Sequence, residues 1–367
     1  MKIAIVGTRG IPNNYGGFEQ FAEYISVGLV QKGHDVTVYS PDFHNYGSET
    51  YLGVKIRKIY CPESKFGSFA HFIYDYLSLK DALKNNFDVI YEAGYGTSAP
   101  SMFLLNKRSP VFITNMDGLE WMRSKWNFLT KALMRSMERI AVKRSKYLIA
   151  DNIGIQEYYK TSFGKDSFYL PYGAELVESF DPAVLGEMGL TQNGFYVLIA
   201  RLEPENNIET ILDGFVASGS QLPFIVVGNH FTKYGAYLVD KYKHTGGLVR
   251  FAGSIYDKVK IDALRCFCQI YFHGHSVGGT NPSLLEAMAA KAFIISHDNS
   301  FNRTVLPEES VFFKNSADVA GYLKDVGTLD GMRRRIIEGN LAKIKASYQW
   351  NLVIDAYEKL FKQLTGQ

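Results

Sequence analysis

The strongest constraint in this chain is an alternation that comes in two series. Short apolar runs alternate with segments of helical period along nearly the whole length. The first series is Ile3–Val6, Val36–Tyr39, Val54–Ile59, Val89–Tyr91, Val111–Thr114 and Tyr147–Ala150. The second is Tyr196–Ala200, Phe224–Val227, Val249–Ala252, Ile270–Phe272 and Phe293–Ser296. Several runs are almost entirely apolar, as strands covered on both faces must be, so the pattern predicts parallel sheets built from strand–helix units. Leu170-Pro171-Tyr172-Gly173 and the stretch through Asp181-Pro182 lack a clear period and read as the linker. At the usual ~100–200 residues per domain, 367 residues make two domains, split as 1–172 and 173–349. The expected fold class is α/β, two Rossmann-like doubly wound domains facing a central cleft, with ligands at the carboxyl ends of the strands.

Composition narrows the function classes. With 46% hydrophobic and 21% charged residues, the chain can bury ordinary cores and is not disordered. Forty Lys+Arg against 37 Asp+Glu leave a net charge of +3, which argues against a dedicated nucleic-acid binder. Cys61, Cys266 and Cys268 are too few for a disulfide framework and favour a reducing compartment. Met1-Lys2 runs straight into Ile3–Val6 and Gly7, with no signal-peptide core, and no run approaches the ~20 apolar residues of a membrane span. The expected location is cytoplasmic, at most peripheral on the inner face of the cell membrane.

Three loops follow predicted strands and suit a ligand. Gly7-Thr8-Arg9-Gly10 through Tyr15-Gly16-Gly17-Phe18-Glu19 leads into a helix that carries Phe18, Phe21, Ala22, Ile25 and Leu29 at helical spacing and stops near Gly33. Backbone amides at such a helix start attract anions, and glycines admit a phosphate closely. The loop lacks the G-x-G-x-x-G of nicotinamide-binding domains. Ala200-Arg201-Leu202-Glu203-Pro204-Glu205-Asn206-Asn207 follows the first strand of the second series, and the guanidinium fork of Arg201 suits a diphosphate. His273-Gly274-His275-Ser276-Val277-Gly278-Gly279-Thr280-Asn281 ends at Pro282, a residue favoured in the first helical turn. Glu286, one turn into that helix, is placed to meet a ribose. Two imidazoles without a nearby third ligand do not make a metal site. Cys266 and Cys268 read as packing residues.

Taken together, these loops resemble the glycosyltransferases of family four, which have the GT-B fold. Tyr15-Gly16-Gly17-x-Glu19 is similar to that family's N-terminal glycine loop, Ala200-Arg201-Leu202-x-Pro204-Glu205 to its Gly-Arg-Leu motif, and Pro282–Met288 to the helix bearing its second glutamate. Leu170-Pro171-Tyr172-Gly173 matches its interdomain Pro-x-Gly. The N-terminal segment, Glu203–Asn207 and Asn115–Trp121 resemble a bacterial rhamnosyltransferase subgroup of surface-polysaccharide assembly. Two positions depart from the family: Asn206 stands where a lysine usually meets the diphosphate, and Gly278 where the first of two glutamates stands.

The resemblance implies sugar transfer, of rhamnosyl from dTDP-rhamnose, onto a glycan or lipid-linked acceptor. Residues 1–172 would be the acceptor side, with a helix at about 350–367 packing back on it, and 173–349 the nucleotide-sugar side. The leaving diphosphate would be met by Arg201 and backbone amides near Gly279, Thr280 and Asn281, with Gly16 and Gly17 across the cleft. Glu286, Asn229 and Ser254 would meet the ribose and base. Asp117 would orient the sugar or an acceptor hydroxyl, or simply cap the next helix. Glu120 and Trp121 lie on the acceptor side. No Asp-x-Asp cluster is visible, so no metal or other cofactor is expected. A nucleotide-sugar epimerase and a non-catalytic nucleotide-sugar-binding partner are the alternatives.

Charge is uneven along the chain. Arg123, Lys125, Lys131, Arg135, Arg139, Lys143, Arg144 and Lys146 are opposed only by Glu138, a local +7 that leaves the remainder at −4. With Trp121, Trp126, Phe128 and Leu129 at its start, residues 121–147 suit an anionic membrane surface, or else form a solvated helix face.

Overall fold

The structure is a computed structural model that describes residues 1–367 apart from Tyr15, Lys107, Arg108, Asp117 and Lys125. The chain forms two compact units. One comprises Met1–Met122, Trp126–Gly173 and Trp350–Gln367; the other comprises Arg123–Lys125 and Ala174–Gln349.

In the first unit, strands β1 (Lys2–Val6), β2 (Asp35–Pro41), β3 (Thr50–Tyr51), β4 (Val54–Ile59), β5 (Val89–Glu92), β6 (Val111–Asn115), β7 (Tyr147–Ala150) and β8 (Phe168–Tyr169) form an eight-stranded sheet. Its order is β3-β4-β2-β1-β5-β6-β7-β8, and only β3 runs antiparallel to its neighbour. Ile3 of the central β1 lies opposite Val36 on one side and Val89 on the other. Ile3, Ala4, Ile5 and Val6 are all buried, which is why β1 reads as a continuous apolar run rather than an alternating one.

The chain's last helix, Trp350–Thr365, packs on the first, Gly17–Gln31. A methyl group on Gly28 would come within 2.4 Å of the Ile354 side chain, so the close approach of the two helices requires glycine there. Trp350 stacks on Tyr24 with ring centroids 4.4 Å apart. Phe21 meets Tyr91, Tyr172 and Tyr357 at 5.2–5.5 Å. Much of the chain's aromatic richness therefore lies inside this unit. Edge-to-face and tilted ring pairs of this kind stabilise by ~0.5–1.5 kcal/mol each beyond the area they bury.

In the second unit, β9 (Tyr196–Ile199), β10 (Phe224–Val227), β11 (Val249–Gly253), β12 (Ile270–His273), β13 (Ile294–His297) and β14 (Val311–Phe313) form an all-parallel sheet in the order β11-β10-β9-β12-β13-β14. Numbered within the unit, this is the doubly wound order 3-2-1-4-5-6. Tyr196, Phe215, Phe224 and Phe272 fill one core cluster with the aliphatic face of the helix Ile208–Ser218. Strands β3, β8 and β14 have two or three residues each and lie at sheet edges, too short to carry a period in the sequence. The stretch after Gly173 contains one short helix, Ala183–Glu187, that the sequence pattern did not announce.

Candidate functional site

The strand order of the second sheet reverses between β9 and β12. A crevice therefore opens at their carboxyl ends, because the connections leave to opposite faces. Two loops line it: Ala200–Asn207 after β9 and Gly274–Asn281 after β12. They are bound tightly to each other. The Asn207 side-chain amide donates to the Gly274 carbonyl at 2.8 Å. The amide and hydroxyl of Ser276 both donate to the Glu205 carbonyl, at 3.1 and 2.7 Å. The hydroxyl of Ser283 donates to the Ile199 carbonyl at 3.2 Å. A Cβ on Gly274 would lie 2.0 Å from the Asn206 carbonyl oxygen, so the contact is backbone on backbone.

The second loop ends in the helix Pro282–Ala289. The Asn281 side chain caps it by accepting from the Ser283 amide at 2.9 Å, and Pro282 occupies the first turn. The helix start adjoins a hollow lined by His275 through Gly279, by Asn281, and by Phe301 and Asn302 of the helix Ser300–Val305. The side-chain amides of Asn299 and Asn302 donate to the His275 carbonyl at 3.0 and 2.9 Å, which fixes the loop where it turns. A helix N-terminus facing a hollow is a favourable place for an anion.

Arg201 is exposed immediately after β9, and its carbonyl accepts from the Asn206 side chain at 2.7 Å. Asn206 is thus buried and turned into the protein as a loop brace. His275 is held neutral, its pKa pushed down to about 3 first by burial and then by the positive charges of Arg201 and Arg123. His273 stacks on it with ring centroids 4.5 Å apart and is fully buried with neither ring nitrogen hydrogen-bonded. Burial, then His275 and His297, hold His273 well below the ordinary imidazole range. Among the described residues no group of three or more His, Cys, Asp or Glu side chains is placed to hold a metal ion.

The remaining sequence candidates of this unit occupy different surroundings. Thr280 is buried. Glu286 forms an ion pair with the buried guanidinium of Arg265, which also meets Asp262 at 3.1 Å, so its carboxylate is held from behind. Asn229 and Ser254 are exposed on the loops after β10 and β11; the Asn229 side chain accepts from the Phe231 amide at 3.0 Å. Next to Asn229 on the first of these loops lies His230, whose role is not legible in the sequence. Its ring lies 4.5 Å from that of Phe231, and its Nδ1 is buried without a hydrogen-bond partner. Its only signal in the sequence is its position just after Gly228-Asn229 at a strand end.

In the first unit, the order reverses between β1 and β5. Gly16 precedes the first helix and Gly17 begins it, while Tyr15 lies outside the described residues. This crevice is acidic. Glu19, in the helix's first turn, is buried and accepts from the Arg9 amide at 2.8 Å. The Arg9 guanidinium is engaged by Glu63 at 2.5 Å and by His71 at 2.8 Å. Beneath Gly7 lies Glu92, the last residue of β5. Gly7 has φ +79°, and a Cβ there would come within 1.9 Å of the Glu92 carboxyl oxygen. Burial and the neighbouring Asp75 hold Glu92 well above the ordinary carboxyl range, and burial raises Asp75 to about 7.

Asp117 lies outside the described residues. Glu120–Met122 form a single helical turn, in which Trp121 donates to Glu138 at 3.4 Å and carries the Arg135 guanidinium over its ring at 4.0 Å. Glu138, the one acid of the basic segment, is buried in the helix Phe128–Arg144 and accepts from Tyr158 and Tyr159 at 3.1 Å. Arg139, Lys143 and Lys146 are exposed, as are Phe128 at 83% and Leu129 at 76%. Arg144, in contrast, is turned onto the backbone carbonyls of Met102, Phe103 and Leu105.

Residues 1–175 match a family model described as "Domain of unknown function (DUF1972)". No curated protein sequence matches the chain. Among solved structures, a sucrose-phosphate synthase from Thermosynechococcus elongatus superposes with a TM-score of 0.79 at 15% identity, over 100% of this chain and 99% of that one. HepE of Anabaena, in complex with UDP and glucose, gives 0.73 at 15% identity over 99% and 100%. TarM of S. aureus, a variant in complex with fondaparinux, α-GlcNAc-glycerol and UDP, gives 0.72 at 10% over 98% and 99%. The two parallel α/β sheets are those of the GT-B fold. Likeness at this identity carries the fold, and the chemistry has to be argued from the site.

Proposed function

We propose that the chain is a glycosyltransferase that moves a sugar from a nucleoside-diphosphate donor held in the β9–β12 crevice. The observation that carries this reading is the pairing of Arg201 with a glycine-rich helix N-terminus on either side of one topological switch point. As the glycosidic bond breaks, negative charge grows on the leaving diphosphate. A guanidinium fork and helix-start amides aimed there stabilise that charge without reorganising. The crystallised complexes of HepE with UDP and glucose and of TarM with UDP support a nucleotide ligand for a chain of this fold. Glu286, braced by Arg265, is assigned to the ribose, and Asn229, Ser254 and His230 to the base.

The donor we favour is dTDP-rhamnose, and the acceptor a glycan or lipid-linked glycan of bacterial surface-polysaccharide synthesis, on the motif resemblance in Glu203–Asn207 and Asn115–Trp121. Asp117 is assigned to orienting the sugar or acceptor, with Glu120 and Trp121 on the acceptor side. Transfer is metal-independent in this reading, since Arg201 and the helix dipole supply the counter-charge. The exposed Phe128 and Leu129 at the start of a helix that also exposes Arg135, Arg139 and Lys143 suit an anionic lipid surface.

Product analysis tests the assignment. Incubation with dTDP-rhamnose, UDP-sugars and GDP-sugars plus a lipid-linked acceptor should yield a new glycoside, unaffected by EDTA. An epimerised free nucleotide sugar, or binding without turnover, would refute it. Flotation with anionic vesicles should fall with rising salt and on Lys143→Glu; equal flotation with neutral vesicles would remove the membrane assignment.

A further inference from the structure

Going beyond the lipid surface assigned above to the helix Phe128–Arg144, we propose that the helix Ala70–Ala82 inserts a second, aromatic face into an anionic bilayer. Its inward side is settled: Ala70, Tyr74, Ser78 and Ala82 are buried in the first unit. Its outward side is where a helix that covers a sheet should be polar. Here Ile73, Tyr76 and Lys80 are exposed and continue from Phe69, just before the helix; the spacing i, i+4, i+7, i+11 puts all four on one stripe. Phe69 is 70% exposed and lies against Phe72 with ring centroids 5.8 Å apart, and the Lys80 ammonium sits 5.5 Å over the Tyr76 ring. Phe66, a turn earlier, is exposed as well. The helix packs on the turn Ala99–Leu104, whose Phe103 is 63% exposed with the Arg144 guanidinium over its ring at 5.0 Å. That turn packs in its turn on the helix Phe128–Arg144, so exposed apolar side chains run through three adjoining elements.

Charge selects what covers this face. Every charged side chain exposed in residues 60–86 and 128–144 is basic: Lys65, Lys80 and Lys84 in the first stretch, Arg135, Arg139 and Lys143 in the second. The nearby acids are occupied or enclosed. Glu63 pairs with Arg9 and Asp81 with Arg57, while Asp75 and Glu138 are buried. In a chain of net charge +3 this is a strong local excess. Two copies of the chain meeting on this face would set like charges against one another, which disfavours a homodimer. Aromatic and aliphatic side chains ringed by lysine and arginine fit the headgroup boundary of an anionic bilayer, where the rings enter and the cations meet lipid phosphates. The helix is also bound to the loop after β1. Tyr74 donates to the Thr8 carbonyl at 3.0 Å, and Glu63 and His71 engage the Arg9 guanidinium. Seating the helix on lipid therefore holds that loop near the headgroups, the side from which a lipid-linked acceptor would come.

Flotation of the full chain with phosphatidylglycerol-containing vesicles and with purely zwitterionic vesicles tests this. Phe69→Ser/Ile73→Ser should cut binding to the anionic vesicles by about fivefold or more. Its melting temperature should stay at the wild-type value, since both side chains are exposed. Fluorescence of Phe69→Trp should be quenched by brominated anionic lipids beyond any quenching of the wild type, and left unchanged by brominated zwitterionic lipids. An unquenched Phe69→Trp would overturn the inference. So would undiminished flotation of Phe69→Ser/Ile73→Ser alongside loss on Lys143→Glu, an outcome that leaves the lipid assignment of the helix Phe128–Arg144 standing. Failure of the wild type to float would overturn both lipid assignments without touching the nucleotide site. A concentration-dependent dimer abolished by Phe69→Ser/Ile73→Ser, with no flotation, would show a second copy of the chain on this face instead.

Discussion

The two sheets offer the same kind of crevice and fill it with opposite chemistry. Each has a strand-order reversal with a glycine-bearing loop leading to a helix start. In the second unit the loop after β9 carries Arg201 and pairs with Arg123 through Glu205, and the imidazoles of His273 and His275 are held neutral. In the first unit the loop meets two buried acids, Glu19 and Glu92, and its one guanidinium, Arg9, is engaged by Glu63 and His71. Topology fixes where a ligand can lie, and side chains decide which ligand. An anion suits the second crevice. In the first, the helix-start carboxylate of Glu19 already takes an amide that a phosphate would seek.

The largest test of this contrast is Arg201→Ala, which should lower the transfer rate by roughly 100-fold or more, the scale for losing one preorganised oxyanion donor. Arg9→Ala in the other loop should leave nucleoside-diphosphate affinity within about twofold of wild type, because its partners are protein carboxylate and imidazole. Equal losses from both would erase the distinction.

Glycine substitutions sharpen the comparison through stability. Gly274→Ala forces a methyl group into the Asn206 carbonyl, a backbone clash that should destabilise by ~1–3 kcal/mol or more. Gly278→Ala, with φ +127° and no atom within 4 Å of a Cβ, meets conformational strain alone and should cost about 1–2 kcal/mol. Thermal denaturation of the two variants gives the ranking, and the reverse order would contradict the interlocked-loop description.

The smallest effect is a pH dependence set in the first unit. Asp75 and Glu92 have folded pKa values raised above their ordinary 3.8 and 4.5. The stability linked to their protonated forms is fully present below about pH 4, and for Asp75 it is lost as pH rises through about 7. Melting temperature should therefore fall between pH 6 and 9, by roughly 3–6 °C if ~1–2 kcal/mol is lost. Glu92→Gln, which removes one of the two raised carboxyl titrations, should flatten that slope. A wild-type melting temperature that rises over this range would contradict the buried-acid description.

The sheets were legible because their central strands are buried on both faces. Ile3–Val6 and Phe224–Val227 have no polar face to interrupt the apolar run. The edge strands β3, β8 and β14 were not, since two or three residues carry no period. Arg201 and the loop before Pro282 were legible as strand-end features with distinctive local chemistry. Arg123 was read only as one of eight basic residues, because nothing local links it to Glu205, 82 positions later in the chain. The Asp75–Glu92 pair escaped for the same reason: each acid is ordinary in sequence, and only the fold brings Asp75 near the Glu92 that lies under Gly7.

The claim at the centre of this account is that the β9–β12 crevice binds a nucleoside diphosphate. Titration of the wild type and Arg201→Ala with UDP, GDP and dTDP tests it most directly. The account predicts one-to-one binding of at least one of them by the wild type, weakened by about tenfold or more in the variant. No binding by the wild type, or equal affinity in both proteins, would contradict it.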